Sequence, residues 1–273
     1  MDSDWMIAAA YGYAAFLGAA LGSFYFALAT RVSYYFYSKN RKKLPGRANR
    51  FRAILFQPSF CMECGSPIKR LHLIPVLGFF LARGRCAHCK KPITAWHVLA
   101  EVYCMLLLPW LLFQGTGWPF AIVCTLFAGH IIISMLTDLR HFVLDHENTA
   151  VLLILAAAKV FLDSEPAAPS VLTALFVLLF FGSAYAVYQW LGRAGLGAGD
   201  ILFSTAVGGI TGFPDSLPVF GAAGAFAILY SIRRRRESAS EAREPAPAPF
   251  GACLGAAVLL WLLLKPVILS LEI

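Results

Sequence analysis

Apolar stretches about 20 residues long, the length that crosses a bilayer, recur along this chain with short polar breaks between them. They predict membrane spans near 6–30, 97–114, 119–137, 149–163, 170–190, 200–213, 217–232 and 250–270. The runs at 149–163 and 200–213 are short for a span. One long segment, 31–96, breaks the pattern: it is polar, basic and rich in turn residues. The expected architecture is an all-α polytopic membrane protein of about eight transmembrane helices with one small cytoplasmic domain. Its parts are a first span (1–30), a cytoplasmic domain (31–96) and a membrane core (97–273) carrying a flexible loop at 233–249. That loop contains the run Arg233 to Arg236 and alternating Pro and Ala, a composition that cannot build a core.

Charge supports the short spans. Residues 31–95 hold 14 Lys and Arg against the single acid Glu63, a net of +13, whereas the whole chain is +8. Arg140, Arg193, Arg233 to Arg236 and Arg243 are the other loop cations, while Asp2, Asp4, Asp163, Glu165 and Asp215 mark segments without cations. Placing cationic loops inside demands alternation through eight spans with both termini outside. Lys265 is the exception, near the outer end of the last span, where a lysine snorkels. The N-terminal run is not expected to be a cleaved signal, because MDSDW is acidic where a signal is basic. Composition agrees: 59% of residues are hydrophobic and 14% charged, far from the soluble average. The basic loop is expected to lie on anionic lipid rather than on nucleic acid.

Two acids then stand out. Asp200 in GLGAGDILF sits at the inner mouth of the sixth span, and Asp138 in ISMLTDLRHFVLDHENT at the inner mouth of the third. Two carboxyls brought together do not both ionise cheaply, so one holds a proton while the other acts as base. That division of labour is what an aspartic protease needs. The glycines beside Asp200 would let a backbone approach closely. Either Asp alone reads as a helix cap or a headgroup-facing acid; at matching depth the pair favours function. Asp145 is a rival partner, two helical turns beyond Asp138. HENTA at 146–150 lacks the second His of a zinc protease motif.

The cytoplasmic segment carries CMEC (Cys61, Cys64) and CAHC (Cys86, Cys89), with 21 residues between the pairs. Four thiolates at such spacing suit a structural Zn2+ site with no open position. Cys104, Cys124 and Cys253 fall in apolar spans and read as packing residues, as does His130, while His88 is expected to be exposed.

Taken together, these residues resemble the type IV prepilin leader peptidases, the A24-type membrane aspartic peptidases with a G-x-G-D motif. Gly197-Ala198-Gly199-Asp200 matches that motif, and Asp138 with the segment to Thr149 resembles the family's first aspartate region. LGSF with Arg31, and the four-Cys segment through Glu101, resemble its N-terminal half.

The resemblance implies a bacterial inner-membrane enzyme with its site at the cytoplasmic face and periplasmic termini. It implies cleavage of the basic leader from type IV prepilins and the pseudopilins of type II secretion. N-methylation of the new terminus with S-adenosylmethionine would follow. Asp138 and Asp200 become the catalytic pair, Cys61, Cys64, Cys86 and Cys89 the metal ligands, and Gly84 part of the segment linked to methyl transfer. The chain departs from the family pattern at Phe26, His72-Leu73, Trp96-His97-Val98 and Leu202. A peptidase without methyl transfer therefore stays open, as do a non-catalytic zinc-knuckle scaffold and a proton-coupled transporter. Glu101 and Glu147 are candidates to receive the leader's cations.

Overall fold

A computed structural model describes residues 2–39, 46–163, 166–192, 197–241 and 248–271. Arg193, Arg243, Glu165 and part of the basic run after Lys39 lie outside the described residues. The rest is helical, with two isolated bridges and no strand among the described residues. Helices occupy the place of every span read from the sequence: α1 (Asp2–Val32), α4 (Trp96–Phe113), α5 (Trp118–His141), α6 (His146–Leu162), α7 (Ala167–Trp190), α8 (Ala198–Thr211), α9 (Ser216–Glu241) and α10 (Phe250–Leu271). Between α1 and α4 lie two short helices, α2 (Arg47–Phe56) and α3 (Leu77–Leu81). Among the described residues, five helices are long and apolar enough to cross a membrane, those of α1, α4, α5, α7 and α9. The protein is thus multi-pass. The shorter α6 and α8 have 17 and 14 residues, so a count of eight crossings is not fixed by helix length.

Helix α9 runs through the four arginines to Glu241, where composition alone suggested a flexible loop from residue 233. Arg, Glu and Ala are strong helix formers, and only the prolines beginning at Pro245 forbid continuation.

The chain divides into two compact units, residues 1–133 and 134–273. In the first, α1 packs along α4 through glycines. A Cβ on Gly18 would lie 2.1 Å from the Cys104 carbonyl oxygen, and one on Gly22 would lie 2.5 Å from that of Ala100. In lipid no hydrophobic force drives helices together, so close backbone approach through small residues must do it. Tyr25 lies across Gly129 and meets the His130 ring edge-on at 4.9 Å, which gives that histidine its packing role. Glu101 is buried; it accepts the Val76 N–H at 2.7 Å and pairs with His97 at 3.1 Å. These contacts tie the cytoplasmic segment to α4 and leave Glu101 no face for a substrate's cations. Glu147 stays exposed in the first turn of α6.

In the second unit, α8 is buried on all sides from Phe203 to Thr211, against α6 and α7. Gly208 and Gly209 let it close on Val177 and Ala156. A helix needing no lipid face can be short. Lys265 pairs with Asp215 at 3.0 Å and stacks over Trp261, so this cation finds protein partners rather than only an interface.

Substituting Gly22→Leu forces the α1 and α4 backbones apart and should remove about 1–3 kcal/mol of stability. Gly12→Leu, where nothing lies within 4 Å, should leave thermal unfolding in detergent unchanged.

Candidate active site and thiolate cluster

Helix α5 ends just beyond Asp138, whose backbone carbonyl accepts the Phe142 N–H at 2.9 Å. Phe142 takes a left-handed conformation (φ 53°), a position where glycine usually sits. That turn carries the chain through Val143 and Leu144 into α6, which Asp145 precedes as the N-cap residue. Leu144 is buried and meets two glycines. A Cβ on Gly199 would lie 3.2 Å from both its Cβ and its carbonyl oxygen; one on Gly251 would lie 2.7 Å from its side chain. The second glycine of the G-x-G-D motif therefore admits Leu144, where the sequence suggested access for a substrate backbone. The first, Gly197, faces Asp200: a Cβ there would lie 3.1 Å from the Asp200 Oδ2.

Both aspartates take backbone hydrogen bonds. Asp200, in the first turn of α8, reaches back to accept the Gly197 N–H on Oδ2 at 2.9 Å. Asp138 is buried and accepts the Ala252 N–H on Oδ2 at 2.8 Å, from a helix 114 residues away. The two carboxyls line one cavity of about 590 Å³ with Phe142, Leu144, His146, Tyr188 and Phe250, near enough for their charges to interact. Sequence reading placed both acids at one mouth, and the structure brings them to one cleft. Asp145 is not among the residues lining it. The sequence marks the start of α10 by Pro249 before an apolar run, but carries no local sign that this start meets Asp138.

The first unit holds the cysteines. Sγ of Cys61 lies 3.8 Å from that of Cys89, Sγ of Cys64 lies 3.9 Å from that of Cys86, and all four fall within 4.8 Å of one another. Four sulfurs at the Zn–S distance of about 2.3 Å form a tetrahedron with edges near ~3.8 Å, so the set fits zinc. Two matching loops build it. In CMECGSPI the Cys61 N–H bonds the Ser66 carbonyl, and in CAHCKKPI the Cys86 N–H bonds that of Lys91, each at 2.9 Å. Gly65 and Lys90 turn the two loops with positive φ. The repeat is written in the sequence as C-x-x-C-x-x-P-I at 61–68 and 86–93. His88 is exposed beside the cluster, and Cys104, Cys124 and Cys253 are buried among apolar side chains. Gly84, also at positive φ, lies against Phe79 and opens the second loop.

The N-terminal half matches the bacterial peptidase A24 N-terminal domain over residues 16–114, and the C-terminal half the type IV leader peptidase family over residues 125–232. The chain is 30% identical over 217 residues to a prepilin leader peptidase/N-methyltransferase of Aeromonas hydrophila, covering 74% of this chain and 71% of that one. The chain belongs to the type IV leader peptidase family. A Bacillus subtilis enzyme of the same name is 26% identical over 270 residues, 94% of this chain and 95% of its own. A type 4 prepilin-like proteins leader peptide-processing enzyme of Escherichia coli O78:H11 is 27% identical over 202 residues, 72% of this chain and 71% of its own. No solved structure matches.

The thiols of this family member differ in acidity. Hydrogen bonds from Ser66 lower Cys64 to about 6. Cys89, although the Lys91 backbone N–H favours its thiolate, is pushed up to about 11 by desolvation and by neighbouring thiols that hold its proton in place. After chelator treatment, Cys64 should be alkylated fastest at neutral pH. Because its thiolate is depleted below pH ~6, its rate should fall about tenfold per unit there. Peptide mapping by mass spectrometry reads both.

Proposed function

We infer that this protein is a membrane aspartic endopeptidase that removes leader peptides from type IV prepilins or related pseudopilins. The observation that carries this reading is the meeting of Asp138 and Asp200 in one cleft, each held by backbone N–H groups. In the proposed reaction the ionised aspartate takes a proton from water. The water oxygen attacks the scissile carbonyl, whose oxygen is protonated by the other carboxyl. Collapse of the resulting diol breaks the C–N bond as a proton returns to the leaving amine. The pair titrates as a unit, so acid and base are not assigned to one residue each.

We place the cleft at the cytoplasmic face of a bacterial inner membrane, with α6, α8 and α10 crossing beside the longer helices to give eight spans and periplasmic termini. The charge asymmetry supports this, and the lysines at the ends assigned to the outside, Lys159 and Lys265, are each neutralised by an acid, Asp163 and Asp215. The parts would be the first span, the basic domain to residue 96 and the membrane core. Anionic lipid would hold the basic domain. Cys61, Cys64, Cys86 and Cys89 would bind one structural zinc, which supplies cross-linking rather than chemistry.

Methyl transfer is a second activity of the same family reading. The first unit has a cavity of about 950 Å³ bordered by Tyr34, Tyr35 and Phe60, the amides of Asn49 and Gln57, and Arg52, whose charge would suit the donor's carboxylate. Aromatic faces and amides fit an adenosyl sulfonium such as S-adenosylmethionine. Gly84 is not among the residues lining it, so its part would be to shape the second knuckle.

Wild-type protein in liposomes should shorten a prepilin, while Asp138→Asn and Asp200→Asn should each lower cleavage by at least ~10³-fold with thermal unfolding unchanged. A variant that cleaves normally removes that aspartate from the reaction. Labelled methyl donor in the same digest reads methyl transfer. Metal analysis of purified protein should give about one zinc per chain, lost with Cys64→Ser.

A further inference from the structure

The aspartates alone do not explain why Asp138 should face its partner productively. A carboxyl at the end of a helix has free rotamers, and reacting atoms must be held within a fraction of an ångström. The structure supplies a clamp from elsewhere in the chain. Helix α10 begins at Phe250, and its first intrahelical bond runs from the Cys253 N–H to the Pro249 carbonyl at 3.1 Å. The N–H groups before Cys253 therefore have no partner within the helix. The Ala252 N–H is donated to the Asp138 Oδ2 at 2.8 Å, and the Gly251 N–H faces the same carboxylate.

Gly251 sets how closely this end can approach. A Cβ there would lie 3.1 Å from the Asp138 Oδ2, and 2.7 and 3.0 Å from the two Leu144 methyls. Asp200 is held in the same manner, its Oδ2 accepting the Gly197 N–H.

We propose that the N-terminus of α10, through the Ala252 N–H and the side-chain-free Gly251, is the positioning element for Asp138. A backbone donor on each Oδ2 fixes the plane in which each carboxyl faces the cleft. Gly251 and Ala252 act through Asp138; they are positioning residues and need not touch substrate.

This inference rests on the peptidase reading, and the test separates the two. Cleavage of a prepilin would be measured for wild type, Asp138→Asn, Gly251→Ala, Leu144→Ala, the double variant Leu144→Ala/Gly251→Ala, and Ala252→Pro. Gly251→Ala should lower kcat about a hundredfold with KM little changed. Leu144→Ala removes the methyls the new Cβ would strike but leaves its contact with the Asp138 oxygen. The double variant should therefore stay well below Leu144→Ala alone in kcat. Ala252→Pro deletes the donor in a first turn that tolerates proline and should show the same split.

If Leu144→Ala restores Gly251→Ala to the rate of Leu144→Ala alone, the glycine serves packing and the proposal fails. It fails also if folded Ala252→Pro turns over like wild type. If Asp138→Asn itself cleaves normally, the peptidase reading fails first. Unfolding midpoints in detergent show which variants are folded and countable.

Discussion

The second half of the molecule hangs on the closeness of one leucine to two glycines. Leu144 sits against Gly199 at the start of α8 and Gly251 at the start of α10, where an added Cβ would lie 3.2 Å and 2.7 Å from it. The bare backbone at both positions lets the two helix N-termini converge there without displacing Leu144. Each helix start carries unpaired N–H groups, and a carboxylate is the partner that suits them. The acids thus give those helix starts protein partners for donors that water would otherwise have to satisfy. The left-handed Phe142 completes the constraint, turning the chain so that Leu144 follows Asp138 into the same cleft.

In the first half the construction is different. No burial of apolar surface explains the cysteine loops, whose side chains are half-buried or exposed. Two copies of one eight-residue loop, each closed by a cysteine N–H and a left-handed residue, point thiols at a common centre. Backbone hydrogen bonds close each loop, and metal binding would add to their stability where no core does. Glu101 joins this module to α4 through the Val76 N–H, which makes a buried acid a structural tie and not a receptor for positive substrate.

Much of this was legible in the sequence, and the reason differs by feature. Helix positions follow from apolar runs and their polar breaks, because a bilayer leaves the backbone few other options. Charge asymmetry put Asp138 and Asp200 at one depth, and the structure places them on one cavity. Matched C-x-x-C pairs carry their chemistry in the spacing. What escaped was long-range. Nothing local to Gly251 says that its neighbour's N–H belongs to a carboxylate 114 residues earlier. Helix α9 continues through the arginines to Glu241, because Arg, Glu and Ala are good helix formers and the prolines begin only at Pro245.

The departures from the family pattern gain meaning from the same geometry. Leu202 follows Asp200 by two residues, on a different face of α8, and is 37% exposed. Phe26 is buried, stacked on His97 at 5.0 Å within the α1–α4 packing. Leu73 lies in a short turn beside the knuckles and is exposed. None of these side chains appears among the partners of either carboxylate. Main-chain groups hold both acids, and a main-chain donor survives nearly any substitution except proline. Drift in side chains can therefore alter how substrate or methyl donor is handled while the carboxyl pair stays aligned. Change at Gly251 is another matter, because a Cβ there would press on the Asp138 carboxyl itself.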